Sequence, residues 1–490
     1  MKNKIYKLAI FSGLALLFLA VLSCEDLLNP IPQTSISPEA AFSTPNGVRS
    51  ALVSVYSNET MWAAYWATML PDTYGNPDVS EGGDNAGTIA ASHGILTPTT
   101  EIVNSGWESI WDGFYRSVSN ANFLIENESK ISNMDEVEKK TILAEARFLR
   151  AKAYYLLVNF FGDVPLLLNT FKSLETDRFP VRTPIADVYA QMIVDLEYGV
   201  TNLPEGNFNG HVKKGAAQAL LAKVYMAAPD PVKNYTRAEE LTSDIVSSQV
   251  YELEPNYDDL WWHSGKNKAN SSKECIYGCV LTSLGDYKGG AVQFLSSPRS
   301  PSPWFLPKKS LVGDFIKLND TIRLKSSFMF LNEPAYTTGY YLYKFTNVDW
   351  RVNLVAQMKG ENNEYFLRYA DILLLRAEIL NEINTGPNQE AIDMVNLVRR
   401  RAKVADLKPA EYTNKETFLL TLIRERKHEL IFEGHLFFDL KRMGKATQLL
   451  WNMDDNGTKT TNFAEYQLLF PLPEKELSIN PSLVQNEGYF

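Results

Sequence analysis

The chain has few of the residues that build covalent scaffolds and catalytic centres. Its 490 residues include only three cysteines and five histidines, and the histidines are spread along the chain rather than clustered. Three cysteines are too few for a disulfide framework. A Gly-x-Ser-x-Gly nucleophile motif is absent, as is a glycine-rich phosphate loop ending in Lys-Ser or Lys-Thr. The sequence therefore offers little for serine-dependent hydrolysis or nucleotide chemistry.

An excess of positive charge is also missing. The 48 Lys and Arg residues face 58 Asp and Glu residues, which gives a net charge of −10. Residues 1–23 carry three lysines and no acid, so their removal takes the charge to about −13. Nucleic-acid-binding proteins carry basic patches, and we therefore expect no nucleic acid partner. A polyanionic ligand is disfavoured only weakly, because an acidic protein can hold a local basic groove.

No Pro-rich, Ser-rich or charged block divides the chain into halves. The length alone suggests two or three units. Hydrophobic residues make up 45% and aromatic residues 12% of the sequence, enough for a large core. We expect one large domain, or two lobes that share a core.

Two of the cysteines lie close together in a stretch that reads as a strand. Cys275 and Cys279 are four residues apart, about 13 Å along a strand. A disulfide needs Cα atoms within about 7 Å, and no histidine lies nearby in the sequence to complete a metal site. We expect two buried structural thiols.

The N-terminus has the form of an export signal. Lys2, Lys4 and Lys7 precede a nearly continuous apolar run, residues 8–22, that is short for a membrane-spanning helix. The run ends at Val-Leu-Ser-Cys24, which resembles a bacterial lipobox. Cys24 would then be lipidated, and more than one acyl chain would anchor the protein stably. An ordinary signal peptide with an incidental cysteine and an uncleaved anchor helix are the alternatives.

Most of the remaining chain has helical periodicity. Residues 135–161 are the clearest case, with small and apolar residues along one broad face and Pro165 after the end. The predicted helices are 38–57, 107–125, 135–161, 184–202, 215–228, 237–248, 364–385, 388–404, 415–433 and 435–449. Several form hairpin pairs similar to tetratricopeptide (TPR) repeats, without the strict consensus.

Two segments differ from these helices in amino-acid composition. Residues 58–106 and 250–360 are rich in Gly, Pro, Asn, Ser and aromatic residues, with short β-like pieces at 274–281 and 338–346. Loops on a rigid scaffold often carry binding sites. The fold class predicted is mostly α: a TPR-like helical-hairpin scaffold with irregular, loop-rich ligand-binding segments.

The charged block near the C-terminus suggests an active site at first inspection. It contains Glu425, His428, Glu429, Glu433, His435 and Asp439, interleaved with Arg and Lys. Position 432 is Phe, so the second histidine of a zinc-protease helix is absent. Alternating charges of this kind suit ion pairs that hold helices together. We expect a structural role here, and also for Arg368, Asp371, Arg376 and Glu378.

Several motifs together resemble the SusD/RagB family of nutrient-binding lipoproteins. They are Ala144-Glu-Ala-Arg-Phe-Leu-Arg-Ala-Lys-Ala-Tyr-Tyr, the Gly162-Asp-Val-Pro-Leu turn, Gly215-Ala-Ala-Gln-Ala-Leu-Leu-Ala-Lys-Val-Tyr, the block 365–442, and Leu469-Phe-Pro-Leu-Pro-Glu-Lys-Glu-Leu. They follow the family's order and span nearly the whole chain. Arg376 and Met443 depart from the commoner residues. The resemblance divides the chain into a lipoprotein signal peptide, residues 1–23, and a SusD-like domain, residues 24–490. The domain's helical scaffold spans about 38–57, 107–249 and 364–450, and its variable segments about 58–106 and 250–360.

The resemblance implies a surface lipoprotein that captures a nutrient and passes it to a SusC-like TonB-dependent transporter in the outer membrane. Glu25-Asp26 resembles the surface-export signal of Bacteroidetes lipoproteins, which implies an extracellular orientation. A glycan is the favoured ligand, and a peptide, as for RagB-like members, is the alternative. A purely structural transporter subunit is a third possibility.

The resemblance also implies no enzymatic activity and no cofactor. A glycoside hydrolase stays open as a rival, since it needs only two suitably spaced carboxylates. Gly82-Gly-Asp-Asn85 is too sparse for an EF-hand loop. We expect no metal, although a lone surface calcium site stays open.

Candidate ligand contacts come from aromatic and polar residues in the irregular segments. Aromatic rings offer rigid apolar faces for sugars, and Asn or Asp can bind hydroxyl groups. The candidates are Trp62, Trp66, Asp72, Tyr74, Asn76, Trp262, Trp304 and Tyr341. Trp62 and Trp66 are also compatible with core positions of an extended helix. Tyr340 and Tyr341 alternate on a strand, so only one of them can face a ligand.

Overall fold

The computed structural model describes residues 41–57, 61–81, 94, 101–170, 178–261, 271–279, 305–332, 338–345, 364–453 and 458–489. The predicted signal peptide, Cys24, and the candidates Trp262 and Trp304 lie outside these residues. Trp62 lies in a described helix, but its side chain is outside the described part.

Helices dominate the described chain, which confirms the predicted fold class. They are α1 (Pro45–Ser57), α2 (Met61–Thr73), α3 (Glu101–Glu126), α4 (Glu136–Phe161), α5 (Ile185–Asn202), α6 (Lys214–Ala227), α7 (Tyr235–Ser247), α8 (Lys309–Lys317), α9 (Thr321–Ser327), α10 (Tyr369–Ile383), α11 (Gln389–Arg401), α12 (Lys415–Leu430), α13 (Leu436–Arg442), α14 (Ala446–Leu449) and α15 (Glu474–Ile479). Among the described helices, none is long and apolar enough to cross a bilayer.

Helix α4 shows how local sequence fixes an element. The Asp135 carboxylate caps the N-terminus by accepting hydrogen bonds from the amides of Val137 (2.9 Å) and Glu138 (3.1 Å). The helix ends at Gly162, whose φ of +74° favours glycine. The prediction for 135–161 is confirmed.

Neighbouring helices pack as hairpins. Helix α4 packs on α5, α6 on α7, and α10 on α11, and α7 in turn contacts α10. Small residues in α4 and α6, such as Ala151 and Ala219, are fully or almost fully buried and let the backbones approach closely. These pairs are the hairpins predicted from the sequence.

The strands are short and pair in twos. They are β1 (Val79–Glu81), β2 (Cys275–Cys279), β3 (Phe305–Pro307), β4 (Phe328–Leu331), β5 (Gly339–Leu342), β6 (Glu364–Arg368), β7 (Trp451–Met453) and β8 (Lys459–Asn462). The antiparallel pairs are β1–β3, β2–β6, β4–β5 and β7–β8. The β-like pieces predicted near 274–281 and 338–346 are β2 and β5.

The prediction that 58–106 and 250–360 are irregular is wrong in part. Helix α2 and the start of α3 lie in the first segment, and α8 and α9 lie in the second. In α8, Leu311, Val312 and Phe315 are buried at helical spacing. The helical spacing of these apolar residues is hard to see in the sequence, because many turn-forming residues surround them.

Three predicted helices have different limits. The helix predicted at 364–385 begins only at Tyr369, because Glu364–Arg368 pairs with β2 as a strand. The helix predicted at 435–449 divides around Gly444, whose φ is +65°. The helix predicted at 38–57 is interrupted at residues 43–44, before α1 begins.

One buried apolar cluster extends over the described chain. It includes residues of α1, such as Val48, and of the C-terminal tail, such as Tyr489. Helices from both ends of the sequence therefore share a core, which holds the irregular segments on a rigid base.

Candidate functional site

The charged C-terminal block forms a buried ionic network. Its centre is Glu429, which pairs with Arg368 (2.6 Å), Arg323 (3.2 Å) and Arg401. Within the described chain this first network joins five cations to five carboxylates, all buried: Arg323, Lys344, Arg368, Arg399, Arg401, Glu274, Asp320, Glu425, Glu429 and Glu433. Water cannot solvate these buried charges, and equal numbers of opposite charges compensate each other instead.

A second network lies beside the first. Asp371 pairs with Lys223 (2.7 Å) and Arg426 (2.6 Å), and Asp439 pairs with Arg426 (2.6 Å) and Arg442 (2.8 Å). Arg376, apart from it, pairs with Glu239 (2.9 Å) and Glu390 (2.6 Å). The structural role predicted for these charges is confirmed by their contacts.

The ion pairs control the protonation of the network. Burial by itself would raise the pKa of Glu429, but Arg401, Arg368 and Arg323 hold it well below the usual range. Burial lowers the pKa of His435 to about 4, and nearby Lys223 adds to the effect. At neutral pH Glu429 is thus ionised and His435 uncharged.

The described candidate residues from the first irregular segment are interior residues. Trp66, Asp72, Tyr74 and Asn76 are all buried, with at most 5% of their surface exposed. Asn76 donates a hydrogen bond of 2.7 Å from Nδ2 to the carbonyl of Asp72. The structure brings these four residues together, but as packing and turn residues that a ligand does not reach here.

Asp72 has a specific structural task. Its carboxylate accepts hydrogen bonds from the backbone amides of Gly434 (2.6 Å) and Leu436 (3.0 Å). Burial raises its pKa to about 7, although these two hydrogen bonds lower it. Asp72 thereby pins the loop between α12 and α13 to α2.

The loop 431–435, which we call the floor loop, is held tightly. Gly434 has a φ of +83°, and a Cβ atom there would lie 3.1 Å from Thr68 Cα. Only glycine fits this approach without strain. Gly434 lies in the break between α12, which ends at Leu430, and α13, which begins at Leu436.

Tyr74 and Tyr341 also pack inside. The Tyr74 ring contacts Phe437, Phe463 and Phe470 at centroid distances of 4.8–5.4 Å. Tyr341 lies opposite Met329 in the β4–β5 pair and is 2% exposed, whereas its neighbour Tyr340 is half-buried. Of these two tyrosines, only Tyr340 has an exposed part that a ligand could contact.

An open cleft lies between the floor loop, α2, α4 and the β2–β6 pair. Six aromatic side chains line it, of which Phe366 is half-buried and the other five are at most 5% exposed: Phe114, Tyr155, Tyr277, Tyr365 and Phe438. Charged or titratable side chains complete the lining: Lys152, Lys223, Glu364, Glu433, His435 and Asp439. The cleft has a water-accessible volume of about 60 Å³.

Two charged groups give the cleft its polar character. The Lys152 ammonium lies 4.8 Å from the ring centroid of Phe366 and 5.4 Å from that of Tyr277. Burial raises the pKa of Glu364 to about 7, against the influence of Lys152. Since a water needs about 10–15 Å³, the bottom holds a few waters or one substituent, and a larger ligand must lie at the mouth.

Cys279 lies at the mouth of the cleft, opposite Glu364 in the strand pair. It is exposed, whereas Cys275 is buried. The prediction of two buried thiols is therefore wrong for Cys279, because strand β2 leaves the core before its last residue.

The sequence does not reveal this cleft. Residues 364–368 are predicted as the start of a helix, whereas they form strand β6. Alternation on β6 places the side chains of Glu364 and Phe366 on one face of the strand. Tyr365 also lines the cleft, and its ring packs on Trp261. Tyr277 of β2 lies beside Phe366, with ring centroids 6.3 Å apart. Among the described residues, no group of three or more metal-ligating side chains is arranged to hold a metal.

The chain is similar to known proteins over almost its whole length. It is 28% identical to SusD-like protein P2 of Formosa agariphila, over 96% of this chain and 98% of that relative. It is 23% identical to the starch-binding protein SusD of Bacteroides thetaiotaomicron, over 76% of each chain.

Solved structures give the same relationship. A laminarin-binding SusD-like protein has a TM-score of 0.74 and 26% identity, covering 91% of this chain and all of that one. A SusD superfamily protein of Parabacteroides distasonis has a TM-score of 0.75 and 24% identity, covering 91% and 99%. This second likeness shows the fold alone.

Two family models match the chain. Residues 84–226 match the model described as starch-binding associating with outer membrane. Residues 195–489 match the model described as the SusD family, more than half of the sequence. The chain therefore belongs to the SusD family.

Proposed function

We propose that this protein is a lipid-anchored, surface-exposed glycan-binding protein that delivers its ligand to a SusC-like TonB-dependent transporter. The observation that carries the proposal is the open cleft, with aromatic walls and a few polar groups, in a chain of this family. The names of relatives that bind starch or laminarin support a carbohydrate ligand.

The cleft has the chemistry that a glycan needs. Aromatic rings such as Phe366 offer an apolar face to a sugar ring, and Lys152 and Glu364 supply hydrogen-bonding groups beside them. In our proposal a sugar ring lies at the mouth and one of its substituents displaces water at the bottom. Trp62, Trp262 and Trp304 stay proposed contacts from the sequence.

The lipid anchor at Cys24 and the outward orientation complete the proposal. A multiply acylated cysteine would hold the protein at the membrane for its lifetime. The family model that describes an association with the outer membrane supports this location. Capture would then occur beside the transporter.

The rival function, glycoside hydrolysis, has one observation in its favour. Glu364 lies in the cleft with a pKa of about 7, raised by burial, as a general acid requires. The partner carboxylates of the cleft, however, are engaged: Glu433 pairs with Arg368 and Lys344, and Asp439 pairs with Arg426 and Arg442. A second carboxylate without an ion-pair partner is thus missing among the described cleft residues, and we propose binding without turnover.

The test is calorimetry of the soluble form, residues 25–490, against starch, laminarin, other polysaccharides and peptides. We expect one glycan to bind, and Phe366→Ala to weaken it at least tenfold, in line with aromatic stacking. Tyr466→Ala is the matched control, because Tyr466 is 42% exposed and does not line the cleft.

Each other outcome has a distinct meaning. Binding of peptides alone would favour the RagB-like alternative. Binding of nothing by the isolated protein would favour the structural subunit. Release of reducing ends that Glu364→Gln abolishes would replace the proposal with a hydrolase.

A further inference from the structure

Lys344 follows strand β5 and is fully buried. Its ammonium group donates three hydrogen bonds, one for each N–H. Nζ donates to Glu433 Oε1 (2.6 Å), to the carbonyl of Ile431 (3.0 Å) and to the carbonyl of Glu429 (3.1 Å). All three acceptors lie at the end of α12 or in the floor loop. One ammonium group therefore fixes the backbone at the bottom of the cleft.

The same ammonium also contacts the residues behind the cleft wall. It lies 4.7 Å from the ring centroid of Trp261 and 5.7 Å from that of Tyr257. The Trp261 ring packs on Phe345 (5.3 Å) and Tyr365 (5.5 Å), and Tyr365 lines the cleft. Tyr365 is held further by the hydrogen bond from its hydroxyl to the carbonyl of Leu260 (3.2 Å).

Lys344 therefore links the floor loop to the Trp261–Tyr365 wall, beside a second link that Arg368 of β6 makes to Glu433. Glu433, the ion-pair partner of Lys344, lines the cleft as well. Arg368 also binds Glu433, at 2.6 Å from Nε, so loss of Lys344 would leave that carboxylate paired. Loss of Lys344 removes the ammonium that contacts both the floor loop and the Trp261 ring, while Arg368 still joins β6 to the loop.

We propose that Lys344 is a positioning residue for the ligand-binding cleft: its ammonium sets the floor loop and the Tyr365 wall relative to each other and so determines affinity without touching the ligand. This inference rests on the proposed function of the cleft.

The charge of Lys344 provides a readout that simple packing would not. Burial lowers the pKa of Lys344 to about 8, against the raising influence of Glu433. The titratable and charged groups around it are Glu433, Glu429, Arg368, Tyr257 and Asp72. Of these, Asp72 has a pKa that burial raises to about 7, so most of it is already ionised at pH 7.5. Affinity should fall as pH rises from 7.5 to 9.5, because the neutral amine loses one donor and its ion pair.

The experiment measures glycan affinity of the soluble form at pH 7.5 and 9.5, together with amide hydrogen exchange of residues 431–436. For Lys344→Met we expect affinity to fall about tenfold at pH 7.5, the usual cost of a charged hydrogen bond. The variant should lose most of the further fall towards pH 9.5, and its 431–436 amides should exchange faster. Lys441→Met is the matched control.

Lys441 suits that purpose because it is a second lysine whose pKa burial lowers, and it does not line the cleft. Burial lowers its pKa to about 7, and its Nζ donates to the carbonyl of Asn159 (2.8 Å). Lys441→Met should keep wild-type affinity, pH profile and exchange at 431–436.

A folded Lys344→Met with unchanged affinity and exchange would overturn the inference. If that variant does not fold, Lys344→Arg decides, because its charge does not titrate in this range. It should bind equally at both pH values, and a wild-type-like fall would contradict the proposal. If the wild-type protein binds no glycan, the proposed function is wrong. Comparing amide hydrogen exchange at residues 431–436 in the wild type and in Lys344→Met would still decide whether Lys344 positions the floor loop.

Discussion

Arg368 Nε lies 2.6 Å from Glu433 Oε2, and at most 5% of either residue is exposed. Arg368 ends strand β6, and Glu433 lies in the floor loop. The pair therefore joins the strand that forms the cleft wall to the loop that forms its bottom. The ionic network is thus the frame on which the candidate site is built.

Removal of Arg368 should be strongly destabilising. Arg368→Met would leave Glu429, Glu433 and Glu274 short of one buried cation, and breaking a buried pair costs about 3–5 kcal/mol. We expect this loss in the free energy of unfolding measured with urea. Arg400→Met is the control, since Arg400 pairs with Asp406 at the surface and exposed pairs are worth about 0–1 kcal/mol. Equal effects of the two changes would contradict a structural role for the network.

Removal of the Asp72 carboxylate should loosen the floor loop. Asp72→Ala leaves the amides of Gly434 and Leu436 without their acceptor, at a cost of about 1–3 kcal/mol for each buried group. Hydrogen exchange of both amides should accelerate, and the free energy of unfolding should fall. Asp135→Ala, which removes only the exposed cap of α4, should cost about 1 kcal/mol and leave these amides protected. Slow exchange in Asp72→Ala would show that the loop is held by other contacts.

Acid should weaken the fold in part through His435. Its pKa of about 4 in the folded protein lies below the ordinary histidine value of 6.5, so the unfolded chain binds the proton more tightly. Stability from this group is present above pH 6.5 and is lost as the pH falls towards 4. His435→Gln cannot take up the proton. Its free energy of unfolding, measured by urea titration between pH 7 and 5, should therefore fall less than that of the wild type. A parallel fall in both proteins would contradict this assignment.

The two described cysteines should react differently. In the soluble form, residues 25–490, Cys279 is exposed at the cleft mouth, whereas Cys275 is buried and burial raises its pKa. A thiol reagent should modify one group per folded chain, and Cys279→Ser should abolish the reaction. Bound glycan should slow it. Modification of both thiols in the native protein would contradict the burial of Cys275.

The sequence predicted the elements whose signals are local. Helix α4 was predicted from its broad small and apolar face and from Pro165 after its end, and the structure adds a cap at Asp135 and Gly162 at the C-terminus. The buried charges of the 425–439 block were also correctly assigned to ion pairs, since their number and alternation leave few other uses. Their partners were not predicted, because Glu429 binds Arg368, Arg323 and Arg401 from distant parts of the chain.

The candidate site was less predictable. Tyr74 and Asn76 were chosen as residues of a glycine-rich loop, but contacts with Phe437, Phe463 and Phe470 draw Tyr74 into the core. Residues 364–368 were read as helix, because their strand character depends on pairing with β2 far away in the sequence. Phe366 and Glu364 face the cleft only in that pairing.

The sequence by itself determined the helical scaffold and the charge that must be compensated inside it, because periodicity and capping act over a few residues. The tertiary structure alone decided which cation meets which carboxylate and which aromatic rings stay open to a ligand. Both depend on segments that are close in space but far apart in the chain, and no local sequence pattern shows which distant segments come into contact.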